Sequence, residues 1–95
     1  MVQVACSVLD VKAAVYSRPL FYHNVNVAVR SFGDAVSDKQ NGIFVHPEDF
    51  HFYKVGEFDD VVGLFTRLDR PEYLAKAVDF LDVKKEVVDE KDKGR

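Results

Sequence analysis

Tryptophan is missing from this chain and cysteine occurs once, at Cys6. A lone cysteine closes no internal disulfide, so side-chain burial must hold the fold, and the missing disulfide framework fits a reducing cytosol. Cys6 stands among alternating valines and reads as a small buried hydrophobe. A nucleophilic cysteine needs a basic partner and an oxyanion site, and no motif supplies either. Long apolar runs are also lacking. Nothing approaches the roughly 20 residues of a membrane-spanning helix. No charged start followed by a long apolar stretch marks a signal peptide. No membrane association is expected. An excess of positive charge is missing too: 13 Lys and Arg face 16 Asp and Glu, for a net charge of −3. A strongly basic nucleic-acid binder is not indicated by bulk charge. No Ser-His-Asp grouping, phosphate-cradling glycine loop or dinucleotide fingerprint occurs, so neither an enzyme nor a cofactor is expected.

The chain does have the means to make a core. Its 95 residues are 47% hydrophobic, with eight Phe and four Tyr. That composition argues against disorder and suits one modest domain. The large rings supply much burial per residue. Charge is spread unevenly: residues 1–30 carry +2, residues 31–83 carry −6 and residues 84–95 carry +1. Any phosphate contact is therefore expected in the N-terminal third.

Val2 to Val11 alternates apolar with small or polar residues and predicts a first strand. Val15 to Ser17 either extends it or starts the next element. Pro19 then interrupts, and Leu20-Phe21-Tyr22 predicts a short second strand at an edge. Asn24 suits a helix cap, since its side chain can accept from a free backbone N–H. A helix is predicted from Val25 to Ser37, where Val25, Ala28, Val29, Phe32, Ala35 and Val36 form one apolar stripe. Arg30 and Asp34, four apart, are placed to pair weakly. Gly33 costs this helix about 1 kcal/mol against alanine, which close packing would offset.

Asp38 to Gly42 predicts a loop, and His46-Pro47-Glu48-Asp49 a turn or a single helical turn with proline early. Phe50 to Val55 predicts a strand, with Phe50 and Phe52 on one face and His51, Tyr53 and Val55 on the other. Gly56 to Asp60 predicts a turn, and Val61 to Thr66 an antiparallel return. Asp69-Arg70-Pro71-Glu72 predicts the start of a C-terminal helix with its stripe at Tyr73, Leu74, Ala77, Val78 and Leu81. The expected fold is α+β: an antiparallel sheet of about four strands, a helix on one face and a second, C-terminal helix. Residues 1–83 are expected to form a single domain, and residues 84–95 a charged tail.

Few residues suggest chemistry. His46, Glu48, Asp49 and His51 are metal-competent side chains, but their spacing is no known ligand pattern, and a solvated turn is expected without a metal. Glu57, Asp59 and Asp60 fall in the expected turn, which offers no pocket for a pair of catalytic carboxylates. Nucleic-acid binding has better support. Lys12, Tyr16, Arg18, Phe21, Tyr22 and Arg30 interleave cations and aromatic rings, the combination that single-strand binders use. On that pattern Lys12, Arg18 and Arg30 would contact phosphates, and Tyr16 and Tyr22 would stack on bases. The alternative is that Phe21 is core and the charges are ordinary surface.

Five segments occur in a familiar order: Val8 to Ala13, Arg18 to Phe21, Ala28 to Phe32, Pro47 to Phe50, and Tyr53 to Asp59. Together, over about residues 4–65, they resemble the small non-structural protein of gokushovirus-type microviruses, which are single-stranded DNA phages. The Pro-x-Asp-Phe and Gly-x-Phe-Asp pair, at this separation, is the most specific part. Leu9 stands where the family suggests an aromatic, and the segment after Leu68 is longer and charged. The resemblance implies a DNA-binding or packaging-associated phage protein acting in the cytoplasm of the infected bacterial host. Its expected partner is DNA, single-stranded in preference to duplex. A second reading is an interaction module that recruits replication or procapsid proteins and self-associates into a homo-oligomer. The acidic balance and exposed edge strands motivate that reading.

Overall fold

The computed structural model describes residues 1–81, and the expected tail lies outside them. The architecture is α+β, as expected. Five strands make one antiparallel sheet: β1 (Val2–Asp10), β2 (Val15–Tyr16), β3 (Leu20–Tyr22), β4 (Phe50–Asp59) and β5 (Leu64–Lys76). The order is β2-β1-β4-β5, and β3 pairs with β1. Because β4 occupies one side of β1, the two short strands share its other side. β2 pairs at Leu9 and Asp10 and β3 at Val4 to Cys6. Ser17 fills the gap between them. Its N–H donates to the Val8 carbonyl at 2.8 Å, and its Oγ accepts from the Val8 N–H at 3.0 Å.

Helix α1 (Val25–Ser37) has the predicted bounds. Asn24 Oδ1 accepts from the Val27 N–H at 2.9 Å, the cap expected from its side chain. The stripe turns inward: Ala28, Phe32 and Val36 are buried against Val4, Cys6, Phe52 and Ala75 of the sheet. Phe32 lies flat on Phe52, with ring centroids 4.5 Å apart and planes within 3°. The ion pairs among the described residues do not include Arg30 with Asp34. Gly33 lies against Phe80: an added Cβ would come within 2.8 Å of that ring. A one-turn helix, α2 (Gly42–Val45), and a 3-10 turn over Pro47–Asp49 lead into β4.

Two expectations fail in the second half. Gly56 to Asp60 is not the turn. Gly56 to Asp59 continue β4, and the reversal comes at residues 60–63, where Gly63 takes φ +73°. Nor does a helix start at Asp69. β5 runs to Lys76, and among the described residues after it 77–81 are helical. The local signals at Asp69 and Pro71 are outvoted by pairing with β4. Pro71 is accommodated because it sits in an interruption of the ladder: Arg67 pairs with Gly56 and Glu72 with Lys54, so residues 68–71 face Val55 alone. A proline there removes no ladder hydrogen bond.

Val55 is unpaired on its other side too, since Ala5 pairs with Gly56 and Cys6 with Lys54. This extra residue resets the alternation of β4. Before it, Phe50, Phe52 and Lys54 point to the side of α1; after it, Glu57 and Asp59 do. Tyr53, Gly56 and Phe58 share the opposite face with Ala5, Ser7 and Leu9.

Candidate nucleic-acid interface

α1 covers one face of the sheet, and the other is open. Residues directly opposite in an antiparallel ladder share a face, so the registers assign the open face residue by residue. From β1 come Gln3, Ala5, Ser7 and Leu9; from β2, Tyr16; from β3, Phe21. β4 contributes His51, Tyr53, Gly56 and Phe58, and β5 contributes Phe65, Arg67, Tyr73 and Lys76.

Six of these side chains are aromatic, and they fall into two groups. Tyr53 is contacted by Tyr16 at 5.7 Å and by Tyr73 at 5.9 Å between ring centroids, both edge-to-face. Phe21 contacts Phe58 at 5.7 Å and Phe65 at 6.3 Å. The outer rings reach solvent: Tyr16, Phe21, Phe65 and Tyr73 are 42%, 46%, 47% and 50% exposed.

Charge is sorted between the faces. The paired carboxylates Asp10, Glu57, Asp59 and Glu72 all lie on the α1 side, in register with Phe50, Val4, Val2 and Lys54. The registers place no carboxylate on the open face, while Arg67, Lys76 and His51 lie there. On the other side Lys54 Nζ donates to Glu57 Oε2 at 2.9 Å. One carboxylate approaches the rim of the open face. Tyr73 has its hydroxyl pKa raised, first by desolvation, then by the charge of Asp79 and the neighbouring Tyr53.

The five residues singled out from sequence do not share this surface. Tyr16 is on it. Tyr22 lies under α1, half-buried, its ring 6.4 Å from Phe52. Arg30 is exposed on α1, whose inward side is Ala28, Phe32 and Val36. Lys12 and Arg18 are exposed in the connections flanking β2. Lys12 sits in a turn where Asp10 Oδ1 accepts from the Lys12 and Ala13 N–H groups at 3.0 and 3.1 Å.

Sequence reasoning misses Tyr73 and Lys76 as surface-forming residues because the helical signals from Asp69 onward mask the strand, and Phe65 and Arg67 because only the register with β4 assigns their face. The alternation along β4 puts Tyr53 on the face away from Phe50 and Phe52, and that is the one local signal of the row.

Elsewhere, His46, Glu48 and Asp49 bring one ligand atom each within 4.8 Å of one another. His46 Nδ1 and Glu48 Oε2 are 3.9 Å apart, both largely exposed. This is a surface turn, and His51 leaves it for the open face. Cys6 is buried, and burial pushes its thiol up to about 11, with Glu72 adding to the rise and Lys54 opposing it. Such a thiol stays protonated at neutral pH. Among the described residues no helix is long and apolar enough to cross a membrane.

A family model described as phage ORF5 protein matches residues 3–80, which takes in every strand, save the first residue of β1, and both numbered helices. The chain belongs to the phage ORF5 protein family. The matched span therefore contains the whole open face of this ORF5 protein, from Gln3 on β1 to Lys76 on β5. No curated protein and no solved structure matches the chain.

Proposed function

We propose that this phage ORF5 protein is a non-enzymatic DNA-binding protein of the gokushovirus type, acting on single-stranded DNA during genome replication or packaging in the host cytoplasm. The observation that carries this reading is the charge-sorted open face. It offers aromatic rings and cations, and the paired carboxylates are turned away from it. An unpaired strand presents both things such a face recognises, phosphate charge and exposed base planes. A duplex hides its base planes, and the face carries no helix to enter a groove. The net charge of −3 is compatible with such binding because the four ladder carboxylates lie on the other side of the sheet.

A second reading has its own support. At the hairpin end of the sheet Val61, Val62 and Leu64 are exposed, as suits an interaction module for replication or procapsid proteins, or for another copy of the chain.

Fluorescence anisotropy with labelled single-stranded and duplex oligonucleotides, across a salt series, tests the choice. Single-strand affinity is expected to fall linearly in log salt, with a slope of about −0.7 per phosphate contacted. Failure to bind at low salt and high protein concentration would leave the interaction module as the reading.

A further inference from the structure

We infer that the base-stacking site is the tyrosine row Tyr16–Tyr53–Tyr73, which receives an unpaired polynucleotide segment running across the strands. Lys76 and Arg67 hold phosphates on its β5 side. This rests on the DNA-binding reading above and deepens it to named positions.

Four features suit the row to stacking. First, its rings are already placed. The edge-to-face contacts at 5.7 and 5.9 Å hold each tyrosine against its neighbour, so little side-chain freedom is lost on binding. Second, its centre is low. Opposite Tyr53 on β1 stands Ser7, a small side chain whose Oγ donates to the Ser17 carbonyl at 2.6 Å, while Tyr16 stands opposite Leu9. Third, the sheet beneath it is backed by the α1 layer, with the stacked Phe32–Phe52 pair directly under β4. Fourth, cations bracket it along β5: Lys76 pairs with His51 on one side of Tyr53, and Arg67 with Gly56 on the other.

The phenylalanine trio shares the ring contacts but has neither the α1 layer beneath it nor a cation on each side along β5. Phe65 closes over Gly56 so tightly that an added Cβ would sit 2.6 Å from its ring. The trio therefore covers bare backbone in a part of the sheet where charged side chains, Glu57 and Asp59, occupy the opposite face. Its role is to seal that end of the sheet.

The chain's composition supplies a direct readout. Without tryptophan, its intrinsic emission is tyrosine emission, and three of its four tyrosines are in the row. Titrating the full chain with an unlabelled oligothymidylate is expected to quench most of that emission, leaving the part from Tyr22. In parallel anisotropy with a labelled oligothymidylate, Tyr16→Ala and Tyr73→Ala are each expected to weaken binding about 5- to 150-fold, the stacking range for one base, with the salt slope unchanged. Tyr73→Phe keeps a stacking ring and is expected to bind within about twofold of the wild type. Lys76→Gln and Arg67→Gln are expected to flatten the slope by about 0.7 each. Phe21→Ala is expected to leave affinity unchanged.

If the wild type binds DNA with no change in tyrosine emission, or if Tyr16→Ala and Tyr73→Ala bind like the wild type, the row is not the site and DNA binding stands. Loss of affinity in Phe21→Ala equal to that in Tyr73→Ala would also overturn the assignment. If the wild type binds no oligonucleotide, the DNA-binding reading itself falls.

Discussion

Cys6 is where burial has a measurable consequence for a single residue. It is 2% exposed and packs with Val4, Ala28, Phe32 and Phe52 in the core. Its pKa is raised from 9.0 to about 11, chiefly by desolvation. The folded state thus holds the thiol proton more tightly than the unfolded chain does. That contribution to stability is fully present below about pH 9 and is lost as pH rises through about 11, amounting to about 2–3 kcal/mol at the alkaline end. Chemical denaturation across pH 8–11 is expected to show a steeper alkaline loss in the wild type than in Cys6→Ala, which removes this group and leaves the tyrosines. Parallel curves would mean that the thiol is solvated. The single-residue reading from sequence was sound for Cys6, because alternation along a valine-rich strand is a local property. It was incomplete for Tyr22, whose partner Phe52 is brought to it only by pairing through β1.

At the scale of elements, α1 and β5 teach opposite lessons. The bounds of α1 were legible because every signal for it is local: the Asn24 side chain caps its first turn, the stripe recurs at helical spacing, and the polar loop after Ser37 stops it. Asn24→Ala is expected to cost about 1 kcal/mol and to lower the thermal midpoint by about 4–8 °C in a domain of this size, measurable by circular dichroism. An unchanged midpoint would mean that water caps the helix equally well. In β5, Asp69, Arg70 and Pro71 look like a helix start, yet the segment lies along β4 from Leu64 to Lys76. The helical signal was real but weak, and the ladder to β4 together with the burial of Ala75 outweighs it. The same misreading hid the candidate site. Tyr73, Arg67 and Lys76 become neighbours of Tyr53, Gly56 and His51 only through the register of a strand that local patterns end at Thr66.

The described residues form an elongated body, 57 × 29 × 23 Å, and its two ends are built differently. At one end α1 presses on β1, β4 and Ala75 of β5, and the hydrophobic core cluster lies there. At the other, the strands from Gly56 to Asp59 and from Leu64 to Arg67 carry exposed Leu64 and Phe65 and sit beyond the helix. Regions with little apolar burial open at lower free energy than the core. Amide hydrogen exchange is therefore expected to be fast for Glu57 to Arg67 and slow for Cys6 to Val8 and Phe50 to Tyr53. Uniform protection along β4 would show instead that the sheet opens as one unit.

Val55 has a consequence that reaches across these scales. The up-and-down alternation of a strand works like a two-letter reading frame, and Val55 is a single insertion in it. Remove that one letter, and every later residue of β4 is read on the other side: Glu57 and Asp59 would join the tyrosines, and Phe58 would turn toward the helix side. The surface would invert its electrical character with no charged residue gained or lost. In this protein the sign of a face is therefore written in the count of residues along β4 as much as in their identities.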